Sequence, residues 1–407
     1  MVGMDAVSID RRKSFLGLIC SALSLNSKSK KKITMYRSKL LKKIIFLSIL
    51  IAFSVLPAQD FPNEFLNGQI KTIDSKILQK ERTIFIYLPT DYDDTTRKYP
   101  VHYVTDAPAT ANLYFDIQRV HTFVNAMPSS IVVGLSSDNR EYHMHPDKGA
   151  KLYMDFLRQE VVPFIDTNYR THPFRTIAGH SLGGGFSIYT FLSNMDLFNA
   201  CIAGSPYPLE FLSDLASPQD LFKNMSDYRF FFSSIGTEKD VSEGHFKQFQ
   251  NILIKNAPQN LDYLFTIHKG EDHISNIALN FQNGLKSLYS DWTFVLPDTL
   301  DKPIDRLLTA HYQKLSEKMG YPIEPDQWKV IFPLMDTLAK QGNFKSAIRL
   351  LTYGIDLYPQ SDQAYAFLAR AYMSTGKIDS AKSNIDKALS INPQNSYALE
   401  LKDKLNN

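Results

Sequence analysis

The sequence predicts an α/β domain, a mostly parallel central sheet with helices on both faces, followed by a small all-α repeat region. Three observations predict it: short β-rich runs alternate with helix-like ones from residue 68 to about 292, a Gly-Xaa-Ser-Xaa-Gly turn lies within that alternation, and a 34-residue period marks the C-terminal part. Alternating strands and helices are the pattern of a doubly wound sheet. With 407 residues, 44% of them hydrophobic and 12% aromatic, the chain can build more than one core.

Residues 1–58 form a separate compositional block. They carry eleven Lys and Arg, including Lys30-Lys31-Lys32 and Lys42-Lys43, against Asp5 and Asp10, a net of +9. The whole chain carries +3, which leaves −6 for residues 59–407. The basic balance belongs to the leader and gives no argument for nucleic-acid binding. Residues 44–56 (IIFLSILIAFSVL) are an apolar run short for a bilayer span, preceded by Arg37, Lys39, Lys42 and Lys43 and followed by Pro57-Ala58-Gln59. This is the pattern of a secretory signal cleaved after Ala58, with an uncleaved anchor as its rival because Leu56 is large for the position two places upstream. Met35 is the more usual start for such a signal, so residues 1–34 read as an over-extended start. The expected location is the periplasm or the outside of the cell, with no membrane span after cleavage. Cys20 and Cys201 are the two cysteines, and Cys20 leaves with the leader, so no disulfide is expected in the mature protein. CxxC and HExxH patterns are absent from the sequence, and neither a metal nor another cofactor is expected.

The α/β domain is assigned to residues 59–295. Its strands are read at 83–88 (TIFIYL), 101–105 (VHYVT), 130–135 (SIVVGL), 176–178, 200–204, 229–235 (RFFFSSI) and 263–268 (YLFTIH). Nearly continuous apolar character in the middle ones suits strands buried on both faces. Residues 151–168 keep helical spacing through Leu152, Phe156, Val161 and Phe164.

Gly179-His180-Ser181-Leu182-Gly183 follows the apolar run 176–178 and precedes a helix-like stretch at 184–192. Strand, sharp turn and helix make a nucleophile elbow, in which a strained turn projects the serine hydroxyl and the glycines give neighbouring backbone room. Ser181 is therefore the candidate nucleophile. A serine of ordinary acidity needs an adjacent base. In an α/β-hydrolase order that base is a histidine after the last strand, where Gly270-Glu271-Asp272-His273 stands, so His273 is the candidate with His268 as its rival. The orienting acid belongs after 229–235, where Glu238 is favoured by closeness to the strand end and Asp240 is the alternative. Two aimed N–H donors are needed for the tetrahedral intermediate. One is expected from the backbone of Leu182. The other is expected from the turn Asp106-Ala107-Pro108-Ala109, and because Pro108 has no N–H, from Ala107. Arg140 and His180 are the candidate substrate contacts, Arg140 for an anionic group, with an exposed structural arginine as the alternative.

Residues 296–325, with Pro297, Pro303, Pro322 and Pro325, form a linker containing a helix at 304–319, and 326–407 are repeats. Gly342 recurs as Gly376, Ala347 as Ala381 and Pro359 as Pro393, while Leu351 is answered by Ile385. That is the tetratricopeptide period. The full repeat at 362–395 has Tyr365, Leu368, Ala369 and Tyr372 on its first helix and Ala381, Ile385 and Ala388 on its second; 396–405 caps it. Pro333 and Gly354 weaken the preceding unit. So short an array is expected to pack on the α/β domain or on a second subunit.

From 68 to about 292 the chain resembles the esterase family that includes esterase D and the ferric-enterobactin-type siderophore esterases. The resemblance rests on Glu81-Arg82-Thr83 leading into Tyr87-Leu88-Pro89, Tyr99-Pro100-Val101, Ile131-Val132-Val133-Gly134-Leu135 with Asn139-Arg140, and Glu160-Val161-Val162-Pro163-Phe164-Ile165. It continues through Tyr169-Arg170-Thr171, the Ser181 elbow, Ser205-Pro206, Gly236-Thr237-Glu238 and Glu271-Asp272-His273. It implies the α/β-hydrolase fold and carboxylic-ester hydrolysis through an acyl-enzyme, with Ser181 and His273 as nucleophile and base, on a small extracytoplasmic ester such as a siderophore or an acylated sugar. Two positions depart from the family: Asp106-Ala107 stands where it has Asp-Gly, and His143 where it often has aspartate. The alternatives are an interaction protein whose α/β domain is inactive, and acyl transfer by the same triad. The repeat tail adds a possible protein partner or self-association.

Overall fold

In the computed structural model the described residues are 68–213, 222, 225–238, 242–300 and 302–406. The signal segment, Cys20 and Asp240 lie outside them. Eight strands form one sheet: β1 (Gln69–Ser75), β2 (Lys80–Tyr87), β3 (Tyr99–Thr105), β4 (Ile131–Leu135), β5 (Thr171–His180), β6 (Ala200–Gly204), β7 (Arg229–Ile235) and β8 (Leu261–Ile267). Their order is β1-β2-β4-β3-β5-β6-β7-β8. β2 runs antiparallel to both β1 and β4, and every other pairing is parallel. Each parallel connection needs a crossover, and α1 (Ala109–Phe123), α2 (Arg140–His143), α3 (Ala150–Phe156), α4 (Val162–Asn168), α5 (Leu182–Ser193) and α6 (Ser242–Asn256) lie in such connections, while α7 (Asn276–Leu288) follows the last strand. This is the expected mostly parallel sheet.

Successive residues of a strand point to opposite faces. In β6, Cys201 and Ala203 share a buried cluster with Phe186 and Ile188 of α5. Ile202 points the other way, so close to α7 that a Cβ on Gly284 would lie 2.5 Å from its Cγ2. The two helices therefore clamp the sheet from both sides at the strand that follows the elbow. β1 was not read from the sequence because four of its first five residues are exposed and it shows no buried face. β5 begins five residues earlier than expected, at Thr171, where Pro173 meets a register shift between Tyr99 and Val101 of β3. Proline is tolerated in a sheet at such irregularities.

Residues 150–168 form a helix as the spacing predicts, but one broken by a π turn at Leu157–Val161 just before Pro163. The same device recurs at Gln327–Ile331, just before Pro333. Proline cannot donate the usual intrahelical bond, and a π turn changes the bonding step at that place. Pro333 is accordingly at the start of its α-helix and does not disrupt the repeat.

The C-terminal part comprises α8 (Ile304–Met319), α9 (Phe332–Lys340), α10 (Phe344–Leu357), α11 (Asp362–Ser374), α12 (Ile378–Ile391) and α13 (Ser396–Asn406). Gly342 and Gly376, 34 residues apart, have φ of 73° and 72°, the left-handed conformation that ends a helix. Ala369, Ile385 and Leu401 pack together, as do Ala366, Ala388 and Ala398, so small side chains do let the helices approach. Gly354 has its own purpose, since a Cβ there would lie 3.1 Å from Ile331 Cγ2.

The repeats and the linker before them pack on the α/β domain. Arg97 Nη1 pairs with Asp326 at 3.1 Å, Lys329 Nζ donates to the Thr122 carbonyl at 3.2 Å, and the rings of His172 and Tyr321 stack at 3.8 Å. Arg97 precedes β3 and His172 begins β5, so these contacts lie at the amino ends of the parallel strands.

Two buried imidazoles and a half-buried one give the fold an acid limit. Burial pushes His102 and His180 down to about 3, and burial with Lys98 pushes His172 down to about 4. Between about pH 6.5 and 4 the unfolded chain therefore binds protons that the folded chain refuses, and stability falls as pH falls. The two buried rings, His102 and His180, together account for a slope of up to about 3 kcal/mol per pH unit, and the half-buried His172 adds less than its full share. Urea unfolding at pH 7, 6 and 5 checks this; a midpoint that is flat across that window contradicts it.

Candidate active site

β5 ends at His180, and the chain reverses into α5 through Ser181, whose φ of 58° and ψ of −125° are sparsely populated for a residue with a side chain. Three backbone bonds hold that conformation: Ser181 N to the Gly204 carbonyl at 2.8 Å, Gly185 N to the Ser181 carbonyl at 2.9 Å, and Tyr207 N to the same carbonyl at 3.0 Å. The flanking glycines are required by close approach. A Cβ on Gly179 would lie 2.3 Å from the Gly183 carbonyl oxygen, and one on Gly183 would lie 2.2 Å from Thr105 Oγ1. Gly179→Ala is expected to cost at least about 1–3 kcal/mol of unfolding free energy, the scale of overpacking. Denaturant titration measures it, and an unchanged midpoint contradicts the geometry.

His273 Nδ1 lies 2.8 Å from Glu238 Oε2. Of the two candidate acids, Glu238 thus meets the histidine; Asp240 is outside the described residues. The second oxygen, Oε1, accepts from Gly236 N at 3.1 Å and from the Ser205 hydroxyl. Burial alone would raise the Glu238 pKa, but the hydrogen bonds from His273 and Ser205 outweigh it and hold the carboxyl below its ordinary value. Glu238 is 12% exposed and His273 27%, so the acid is covered while the imidazole stays reachable. His268, the rival base, is turned away: its Nδ1 meets Asn276 Oδ1 at 2.5 Å and its Nε2 meets Asn283 Nδ2 at 2.9 Å.

Other expected contacts need correction. The N–H of Ala107 donates to the Leu135 carbonyl at 3.1 Å and is not available to an oxyanion. The sequence points to Ala107 only by eliminating Pro108, and the pairing with the end of β4 is a tertiary contact that such elimination does not reveal. Leu182 is the first residue of α5, where an N–H has no intrahelical acceptor. His180 is 4% exposed, and its ring packs edge-on against His273 at 4.7 Å, so it supports the histidine and offers little surface to a substrate. Arg140 presents its fork to Asp106, Nε to Oδ1 and Nη2 to Oδ2 at 3.0 Å, and its charge is already matched. His143 is buried, bonded to Ser137 Oγ at 2.8 Å and stacked on Tyr153.

Sequence reasoning missed Asn276 and the role of Ser205. Asn276 is fully buried, and its Nδ2 lies 3.0 Å from Ser205 Oγ. Ser205 directly follows β6, which could have marked it; Asn276 reaches the site only through the packing of α7.

Residues 75–264 match the family model described as putative esterase, and 338–405 match a tetratricopeptide repeat model. An uncharacterised Bacillus subtilis (strain 168) protein, YjcH, is 32% identical over 192 residues, covering 43% of this chain and 76% of that one. The ferri-bacillibactin esterase BesA of the same organism is 40% identical over 70 residues, 17% of this chain and 24% of that one. Among solved structures, an IroE-like serine hydrolase from Shewanella oneidensis superposes with a TM-score of 0.58 at 22% identity, covering 70% of this chain and 98% of that chain. An uncharacterised protein from Capnocytophaga ochracea DSM 7271 gives 0.63 at 18% identity, over 83% and 99%. At those identities the two structures speak for the fold alone.

Proposed function

The chain belongs to the putative esterase family and is a carboxylic ester hydrolase; we propose that it works as a serine hydrolase through Ser181, His273 and Glu238 on an extracytoplasmic ester. The observation that carries this reading is the 2.8 Å bond between His273 Nδ1 and Glu238 Oε2, made at the carboxyl end of the same sheet that strains Ser181. Glu238 accepts the Nδ1 proton and so leaves Nε2 as the basic nitrogen of the neutral ring. Nε2 takes the proton of Ser181 as Oγ adds to the ester carbonyl, and the imidazolium returns it to the departing alkoxide. An acyl-enzyme remains, and water activated by the same imidazole releases the acid. The Leu182 N–H is the backbone donor for the oxyanion. The basic leader and the apolar run at 44–56 support export. The repeat region supports a protein partner.

The test is incubation with a fluorophosphonate probe followed by mass spectrometry of the labelled peptide, with p-nitrophenyl esters of rising chain length alongside. The expected adduct lies on Ser181, with turnover of short esters. A folded protein that takes no label, or takes it on another residue, sinks the reading.

A further inference from the structure

Resting on the triad reading above, we infer that Asn283, His268, Asn276 and Ser205 form a one-way hydrogen-bond relay that positions Glu238, with Asn276 as its central positioning residue.

The direction of every bond in the relay follows from its end. A carboxylate beside a histidine only accepts, so the Ser205 hydroxyl donates to Glu238 Oε1. With its proton committed, Ser205 Oγ accepts from Asn276, which must present Nδ2 at 3.0 Å. That turns Asn276 Oδ1 toward His268, whose Nδ1 must therefore carry the proton of the 2.5 Å contact. His268 Nε2 is then an acceptor, and Asn283 Nδ2 faces it at 2.9 Å. All four donors point toward Glu238, so each dipole has its positive end on the carboxylate side. Aligned hydrogen bonds polarise one another in a low-dielectric interior, and Asn276 is fully buried.

The backbone is built to hold this chain. Ser205 has φ of 38°, outside the region a serine favours, and its own N–H is fixed to the Ser234 carbonyl at 2.7 Å. α7 is pressed onto β6 where glycines replace side chains: a Cβ on Gly204 would lie 2.7 Å from the Asn280 side chain, and one on Gly284 would collide with Ile202. That contact brings Asn276, the first residue of α7, against the end of β6. The helix that follows the His273 loop thus also anchors the acid, so the base and its orienting group share one support.

Groups that face this pair from other elements are His180 on β5, which burial keeps neutral, Asp272 beside His273, and the matched pair Arg140–Asp106. Removing the relay takes away positive dipole ends next to Glu238, which favours the imidazolium over the neutral base. The acid limb of kcat/KM should then move to higher pH.

The experiment compares Asn276→Leu, Ser205→Ala and the double variant with the unsubstituted protein, using kcat, KM and pH profiles on p-nitrophenyl acetate, circular dichroism, and fluorophosphonate labelling. Each single change is expected to lower kcat about tenfold with KM nearly unchanged, the scale of one lost hydrogen bond to a charged group, and to raise the acid limb. Because both act through the same bond, the double variant should lose about as much as either single one. Folded single variants whose acid limb stays in place, or a double variant whose loss is the product of the two, overturn the relay alone. Unsubstituted protein that takes no label overturns the relay and the triad reading together.

Discussion

Ser181→Ala is expected to lower kcat on short aryl esters by on the order of 10⁵–10⁶-fold while leaving the circular dichroism unchanged. The magnitude follows from the cooperation of the proposed triad. Without Oγ there is no acyl-enzyme, and His273 and Glu238 are left orienting nothing. What survives is the contribution of ester binding and of the Leu182 N–H, which can accelerate attack by water but does not replace the nucleophile. Stability should hold or rise slightly, because alanine does not change the bonds that pin the turn: Ser181 uses its backbone N–H and carbonyl for these. The check is steady-state kinetics with a sensitive fluorogenic ester beside a stopped-assay control for chemical hydrolysis. Retention of more than about one hundredth of the activity would remove Ser181 from the mechanism, since the scale of a lost nucleophile is several powers of ten larger.

Glu238→Gln is the second large effect, on the order of 10⁴-fold in kcat. An amide keeps the size of the side chain but brings an N–H into a place where three donors, His273 Nδ1, the Gly236 N–H and the Ser205 hydroxyl, now meet acceptors. If the amide N–H faces the ring, Nδ1 becomes the acceptor and the proton moves to Nε2, the wrong tautomer for receiving the serine proton. If it faces Ser205, that hydroxyl must turn away. Either way the acid no longer stabilises the imidazolium. Parallel measurement of Asp240→Asn separates the two carboxylates: a small change there is expected, and a loss larger than that of Glu238→Gln would transfer the role to Asp240.

The elements that were legible in the sequence share a reason. β3, β4, β6 and β7 are buried along their whole length, so composition alone marks them. Ser181 and His273 sit where strand order puts them, and the glycines around Ser181 record a steric demand that one sequence can show. The 34-residue spacing is legible because repeats face the same packing problem twice. β1 was hidden because an exposed edge strand has no hydrophobic face to display. The π turns were hidden because periodicity over a window does not register one extra residue per turn. Ala107 was misassigned and Asn276 overlooked for a common cause: a backbone N–H or a buried amide takes its role from a partner distant in sequence, here Leu135 on β4 and Ser205 after β6. Glu238 was favoured over Asp240 by proximity, and its bond to His273 adds a geometric reason.

The repeats rest on the amino ends of the parallel strands, whereas Ser181, Glu238 and His273 follow the carboxyl ends. A seven-residue strand is about 23 Å long, so the sheet itself is the spacer between the two surfaces. A protein partner bound on that side of the sheet would not compete for space with an ester at the serine. Such attachment would act as a matter of address: it would fix where acids and alcohols are released, and would raise the local supply of any ester the partner carries within reach, with the rate constant of each turnover unaltered.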